Sequence, residues 1–166
     1  KSDGIMTIVL PHGVLFRGIP DDSSEGQIRT RLIEKNQIDA IIGLPENIFF
    51  GTNIPTIIMV LKQHRDNDDV LIVDASKGFV KEGQQNKLRA SDIKRIADTW
   101  WDRKTNPGFS RTVSRDEIRE NGYNLNIPRY VDSSEAPEQY DIYATMNGGI
   151  PNSDIATMQS YWEVLP

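Results

Sequence analysis

At 166 residues the chain is of single-domain size and long enough to bury one substantial core, and no apolar run reaches the eighteen or so residues of a membrane span. With no basic-then-apolar leader either, the reading is a soluble, cytoplasmic protein with no membrane partner. Zero cysteines exclude disulfides, thiolate metal sites and a cysteine nucleophile, and the net charge of −5 argues against a protein that grips nucleic acid tightly by itself.

Met6-Thr7-Ile8-Val9-Leu10 predicts a strand that ends at the corner Pro11-His12-Gly13, and Gly13 to Gly18 predicts one helical turn. Ser24-Glu25-Gly26-Gln27 has the form of a capping box and opens a helix that ends near Lys35-Asn36, with Ile28, Leu32 and Ile33 facing inward. Two uninterrupted apolar runs follow, giving strands over 38–44 and 55–62 that are buried on both faces of a sheet. The link between them is about ten residues, short of the dozen that a parallel crossover needs, so the two are antiparallel neighbours. The strand–helix–strand unit from Met6 to Leu44 has the length of a crossover, so its two strands run parallel. The implied frame is an α/β sheet, mostly parallel, with an antiparallel pair at its end.

Val70-Leu71-Ile72-Val73-Asp74 predicts a fourth strand. Ser91 is placed to cap a helix in which Ile93, Ile96, Ala97, Trp100 and Trp101 recur at helical spacing, and Asn106-Pro107-Gly108 breaks it. Ser114-Arg115-Asp116-Glu117 is a second capping box, before a short helix that Gly122 ends. Tyr123 to Val131 alternates polar and apolar, as a half-exposed strand or extended arm does. The chain thus divides into an α/β part at 1–86, a helical and extended part at 87–132, an acidic Pro/Gly/Ser-rich linker at 133–152, and the start of a helix at 153–166. It opens on Lys1 rather than methionine and stops within an amphipathic pattern, which is expected of a piece of a longer protein.

Charge is uneven along this frame, with 9 basic against 12 acidic residues in 1–86, 9 against 5 in 87–119, and 1 against 7 in 120–166. A phosphate-binding surface belongs to the middle segment, around Lys94, Arg95, Arg103, Lys104, Arg111 and Arg115; the other reading of these residues is a solvated helix face. No phosphate-cradling Gly-x-x-x-x-Gly-Lys-Ser/Thr loop and no Gly-x-Ser-x-Gly elbow occurs, and His12 and His64 are too few for a zinc site. His12 ends a strand, where α/β sites gather, although a surface turn is its commoner use.

The loop between the antiparallel strands carries Asn47, Phe49, Phe50, Gly51, Thr52 and Asn53. Amides, a hydroxyl and an aromatic face are the parts that hold a planar heterocycle, and stacking a base on such a ring is worth about 1–3 kcal/mol. Either phenylalanine has a second reading as a plug between sheet and helices. Trp100 and Trp101, adjacent on one helix, cannot share one core, so one of them meets another surface. Ile155, Met158 and Trp162 form an apolar stripe that calls for a partner in the same way.

The blocks Val9-Leu10-Pro11-His12-Gly13-Val14-Leu15-Phe16-Arg17, Ile41 through Thr52, Gly122-Tyr123-Asn124-Leu125-Asn126 and Pro128-Arg129-Tyr130 resemble modification subunits of type I restriction–modification systems. The resemblance runs from about residue 4 to 132. It implies the carboxyl-terminal part of a doubly wound class I methyltransferase sheet with a terminal antiparallel hairpin, plus a helical extension. It implies transfer of a methyl group from S-adenosylmethionine to adenine N6 in double-stranded DNA, alongside a specificity subunit and a restriction subunit. The loop would line the pocket for the flipped adenine, with Asn47 and Phe49 or Phe50 as the residues concerned. The glycine-rich cofactor motif and the Asn-Pro-Pro-aromatic block of that family do not occur in the chain, so these residues alone are expected to be inactive. The alternative is a non-catalytic, methyltransferase-like interaction module.

Overall fold

The computed structural model describes residues 3–18, 24–51 and 53–133. Its main sheet has five strands in the order β1-β3-β2-β4-β7: β1 (Ile5–Pro11), β2 (Ile38–Gly43), β3 (Thr56–Lys62), β4 (Val70–Asp74) and β7 (Ser110–Val113). A separate two-stranded hairpin is formed by β5 (Val80–Glu82) and β6 (Gln85–Lys87). The described residues also hold three helices, α1 (Ser24–Glu34), α2 (Ala90–Asp102) and α3 (Arg115–Glu120), with short 3-10 turns at His12–Leu15 and Ile127–Arg129.

β2 and β3 pair antiparallel, as their short connection requires. β3 is not at the sheet's end, however. It inserts between β2 and β1, pairing antiparallel with both, so β1 and β2 run in the same sense without touching. β4 then adds parallel to β2, and β7 antiparallel to β4. The carboxyl ends of β1, β2 and β4 therefore point to one end of the sheet. The loop from β2 to β3 arises there.

Both faces of the central strands are covered, which is why their sequences read as continuous apolar runs. On one face Ile41, Ile57, Met59 and Ile72 pack with Leu15, Ile33, Ile118, Leu125 and Ile127. On the other, Ile42, Val60, Leu71 and Val73 pack with Phe109 and, from α2, Ile96 and Trp100. β1 differs: Ile5, Met6, Ile8 and Val9 are exposed, and among the described residues its outer edge pairs with nothing.

Three local expectations are corrected. In α1, Ile28 faces solvent and Arg29 is buried in its place. The Arg29 guanidinium donates to the carbonyls of Tyr123 (2.7 Å), Val14 and Arg17 (2.9 Å each) and Gly18 (3.2 Å), tying the turn after β1 to the segment after α3. Four hydrogen bonds to backbone carbonyls outweigh the local apolar pattern. In α2 the cap is Arg89 rather than Ser91, because the Asp92 carboxylate accepts the Arg89 backbone N–H at 2.9 Å. Residues 123–131 form no strand: Leu125, Ile127, Tyr130 and Val131 are all buried around a 3-10 turn that contains Pro128. The Ser114 cap does form, its Oγ accepting the Glu117 N–H at 3.2 Å.

Candidate functional site

The β2–β3 loop is clamped at its base and open at its tip. The Leu44 N–H donates to the Thr56 carbonyl at 2.9 Å, His12 N–H to the Pro55 carbonyl at 3.2 Å, and Ala75 N–H to the Gly43 carbonyl at 3.0 Å. Pro45 is fully buried, and Ile48 packs against the sheet's second apolar cluster. Asn47 and Gly51 both sit at positive φ, 54° and 76°, which folds the chain back on itself on either side of the two rings. With Ile48 filling the core side, the phenylalanines are left outside: Phe49 is 42 % and Phe50 92 % exposed. Neither ring is a core plug. Thr52 lies outside the described residues.

The β5–β6 hairpin forms a second wall over this loop. Asn86 is buried and donates its Nδ2 to the Glu46 carbonyl at 2.8 Å, while its backbone N–H donates to the Asn47 carbonyl at 3.0 Å. Two clefts open between loop and hairpin. One, of about 420 Å³, is lined by Asn47, Phe49, Phe50, Asn53, Gln84 and Gln85. The other, of about 510 Å³, is lined by Asn47, Asn53, Phe79, Lys81, Gln84 and Asn86. Sequence reasoning missed the hairpin because three-residue polar strands carry no apolar alternation. The signal that was present is Gly83, at φ 66° in a two-residue turn. Replacing Asn86 with alanine removes the side-chain donor to the Glu46 carbonyl while the backbone bond to Asn47 remains, and is expected to cost about 1–3 kcal/mol of local stability. Amide hydrogen exchange through residues 46–53 should accelerate in that variant.

At the same end of the sheet, Asp74 accepts from the Ser76 N–H (3.0 Å) and the Ser133 hydroxyl (2.5 Å), and Lys77 donates to the Ser133 carbonyl. His12 stacks edge-on against Phe16 at 5.8 Å. Burial lowers its pKa, and the nearby Asp74 charge opposes that shift.

The six basic residues singled out in the sequence do not converge. Arg103 and Arg115 lie at the amino ends of β2 and β4, across the sheet from the loop: Arg103 bonds Asp39 (3.1 Å) and Asp69 (2.9 Å), and Arg115 bonds Asp68 (3.0 Å). Arg111 makes a bidentate pair with Glu117, both contacts at 2.9 Å. Lys94 pairs with Asp98 at 2.6 Å and Lys104 with Asp102 at 2.8 Å. Arg95 lies over the Phe109 ring, 3.7 Å from its centroid, beside a cleft of about 280 Å³ that Lys77 and Arg89 also line.

The two tryptophans separate as adjacent helix positions must. Trp100 packs on the sheet and donates its Nε1 to Asp39 at 2.8 Å, whereas Trp101 is 80 % exposed. Ile155, Met158 and Trp162 lie outside the described residues. Among those described, no cluster of three or more His, Cys, Asp or Glu side chains is arranged to hold a metal ion.

Comparison with known proteins fits this frame of strands, loop and hairpin. The sequence profile of the N-6 DNA Methylase family matches residues 1–139, and the chain belongs to that family. It is 38 % identical over 142 residues to the type I restriction enzyme MpnII methylase subunit of Mycoplasma pneumoniae, covering 85 % of this chain and 25 % of that protein. It is also 38 % identical over 141 residues to the MjaVII methylase subunit of Methanocaldococcus jannaschii, covering 81 % and 24 %. The crystal structure of a type I restriction-modification methyltransferase subunit from Streptococcus thermophilus superimposes with a TM-score of 0.74 at 51 % identity, covering 78 % of this chain and 27 % of that one. The chain thus spans about a quarter of the length of the relatives it matches.

Proposed function

We propose that these residues are the adenine-presenting part of a type I modification subunit, whose full-length parent transfers a methyl group from S-adenosylmethionine to adenine N6 in double-stranded DNA. The observation that carries the reading is the β2–β3 loop. In a chain of the N-6 DNA methylase family it holds two exposed phenylalanines beside Asn47 at the carboxyl end of the strands, where ligands of open α/β sheets bind. An aromatic face there holds a base drawn out of its duplex, and Asn47 and Asn53 offer amide donors and acceptors at its rim. The stack costs little ordering, because Ile48 and the clamped loop base already fix the backbone.

S-adenosylmethionine supplies the methyl group in this chemistry, but the described residues do not fit it. The turn after β1 is Pro11-His12-Gly13 rather than a glycine-rich loop, and the Arg17 side chain lies against Gly13 there. The sequence holds no Asn-Pro-Pro-aromatic block to accept the adenine amine. The exposed apolar edge of β1 supports a parent sheet that continues beyond it, since an unpaired edge of this kind invites further strands.

In this reading residues 87–132 extend the sheet built by 1–86 and also supply its edge strand β7, while the linker to 152 and the docking helix at 153–166 fall beyond Ser133, outside the described residues. Trp101, with Ile155, Met158 and Trp162, would meet the specificity subunit, and a restriction subunit would join that assembly in the cytoplasm. Among the basic candidates Arg95 is the best placed for phosphate, since its guanidinium has no acid within salt-bridge distance among the described residues and borders a cleft with Lys77 and Arg89, although Asp74 and Asp92 line the same cleft. Two measurements test the reading. Calorimetric titration of residues 1–166 with S-adenosylmethionine is expected to give no measurable heat of binding, and the full-length parent with its specificity subunit is expected to label adenine N6. Micromolar binding by residues 1–166, or labelling of cytosine by the parent, would contradict it.

A further inference from the structure

The β5–β6 hairpin has no evident part in the core. Its strands are three residues long, mostly exposed, and pair only with each other. A two-stranded hairpin of that size is marginal by itself. What fixes it is the Asn86 side chain on the Glu46 carbonyl, the Asn86 N–H on the Asn47 carbonyl, and a Lys87–Glu82 ion pair of 2.7 Å. The first two contacts bind it to the loop that carries Phe49 and Phe50. Its placement therefore serves the cleft rather than the sheet.

We propose that this hairpin is the second wall of a nucleotide site: Gln84 and Gln85 donate amide N–H bonds to ring nitrogens of the flipped adenine, and Lys81 contacts a flanking phosphate. The proposal rests on the adenine-pocket reading of the loop and adds to it the residues that hold the base edge. The chemistry of the two clefts divides in that way. The cleft with both rings also holds the amides of Gln84 and Gln85, and an amide N–H donates to a purine ring nitrogen while leaving the exocyclic amine free to react. The adjoining cleft holds Lys81, which makes no ion pair among the described residues, next to Asn47, Asn53 and Gln84, with Glu46 also on its lining. Gly83, at φ 66°, has nothing within 4 Å of where its Cβ would be, so the turn is open to an approaching strand of DNA.

The test uses the full-length parent assembled with its specificity subunit. Gln84→Ala/Gln85→Ala is expected to lower kcat/KM on an adenine duplex about 3- to 10-fold, with the melting temperature and cofactor affinity unchanged. On duplexes carrying 3-deaza- or 7-deazaadenine at the target, the loss should be smaller than on adenine for at least one analogue, because one acceptor is already missing. Gln84→Glu/Gln85→Glu keeps the shape but not the donors and should reproduce the defect. Lys81→Ala should reduce the salt slope of DNA binding by about one. Unchanged kcat/KM in both glutamine variants, or the same loss on adenine and on both analogues, overturns the hairpin's role in holding the base; an unchanged salt slope overturns the Lys81 contact. Phe49→Ala/Phe50→Ala run in parallel separates the two claims. If activity falls there and not in the glutamine variants, the pocket stands and the hairpin proposal fails; if neither falls, the pocket itself is wrong.

Discussion

Alanine at both Phe49 and Phe50 in the full-length parent should lower kcat/KM for adenine methylation about 5- to 150-fold, the range that corresponds to losing one base stack of about 1–3 kcal/mol. The melting temperature should hardly move, because Phe50 is almost wholly exposed and Phe49 is not in the core. This pairing of outcomes is diagnostic. A buried phenylalanine replaced by alanine costs about 3–5 kcal/mol of stability, so a core role and a stacking role predict opposite pairs of measurements. Fluorescence of 2-aminopurine at the target position should fall short of its wild-type rise in the variant, since the flipped base loses its resting place.

The largest effect on stability is expected at the other end of the sheet, at Asp39. The register of β2 slips between Ile38 and Ala40, and Asp39 is the residue at that irregularity. Its carboxylate is 1 % exposed and meets Lys62 (3.1 Å), Arg65 (3.2 Å), Arg103 (3.1 Å) and the Trp100 indole N–H (2.8 Å). The Arg65 side chain is equally buried. Asp39→Ala removes the one buried carboxylate shared by Lys62, Arg65 and Arg103, leaving the buried Arg65 with Asn36, the Ile38 carbonyl and Asp69, and releases the pin between α2 and the sheet, so it should cost about 3–5 kcal/mol in urea denaturation. Against a total stability of about 5–15 kcal/mol this leaves the fold marginal.

Asp39 also gives a pH signature. Burial is the largest single influence on its carboxyl and by itself raises the pKa, but the Trp100 and Lys62 hydrogen bonds and the Lys62 and Arg103 charges together carry the net shift downward. A carboxyl depressed in the folded state stabilises above its unfolded pKa of about 4, and that stability is lost as the pH falls through the folded value. Glu34, held down to about 2 by hydrogen bonds from Arg119 and Tyr123, titrates in the same acid window. Asp39→Asn leaves Glu34 alone, so the difference between wild-type and variant stability curves isolates Asp39 and should shrink as the solution is acidified.

The first four strands of the main sheet and the antiparallel sense of β2 and β3 were legible because uninterrupted apolar runs and a ten-residue connection leave few alternatives. The position of β3 inside the sheet was not, since loop length fixes relative direction and says nothing about which strand lies on the far side. β7 was missed for a different reason. Ser110-Arg111-Thr112-Val113 is short and half polar, and it is a strand because it completes the edge of β4. The aromatic loop was legible as chemistry, while its opposing wall was not: Gln84 and Gln85 gain meaning only when Asn86 brings the hairpin onto Glu46 and Asn47. Counting lysines and arginines located a basic segment but could not reveal that most of its charges are paired with neighbouring carboxylates. Arg29 illustrates the same limit, because the carbonyls it joins come from both sides of the sequence.

The pocket is tested most directly by photocrosslinking. A duplex with 5-iodouracil in place of the target adenine, irradiated on the full-length parent with its specificity subunit, should yield an adduct that mass spectrometry maps to Phe49 or Phe50. An adduct confined to other peptides, formed with the same efficiency when both phenylalanines are alanine, would contradict the account.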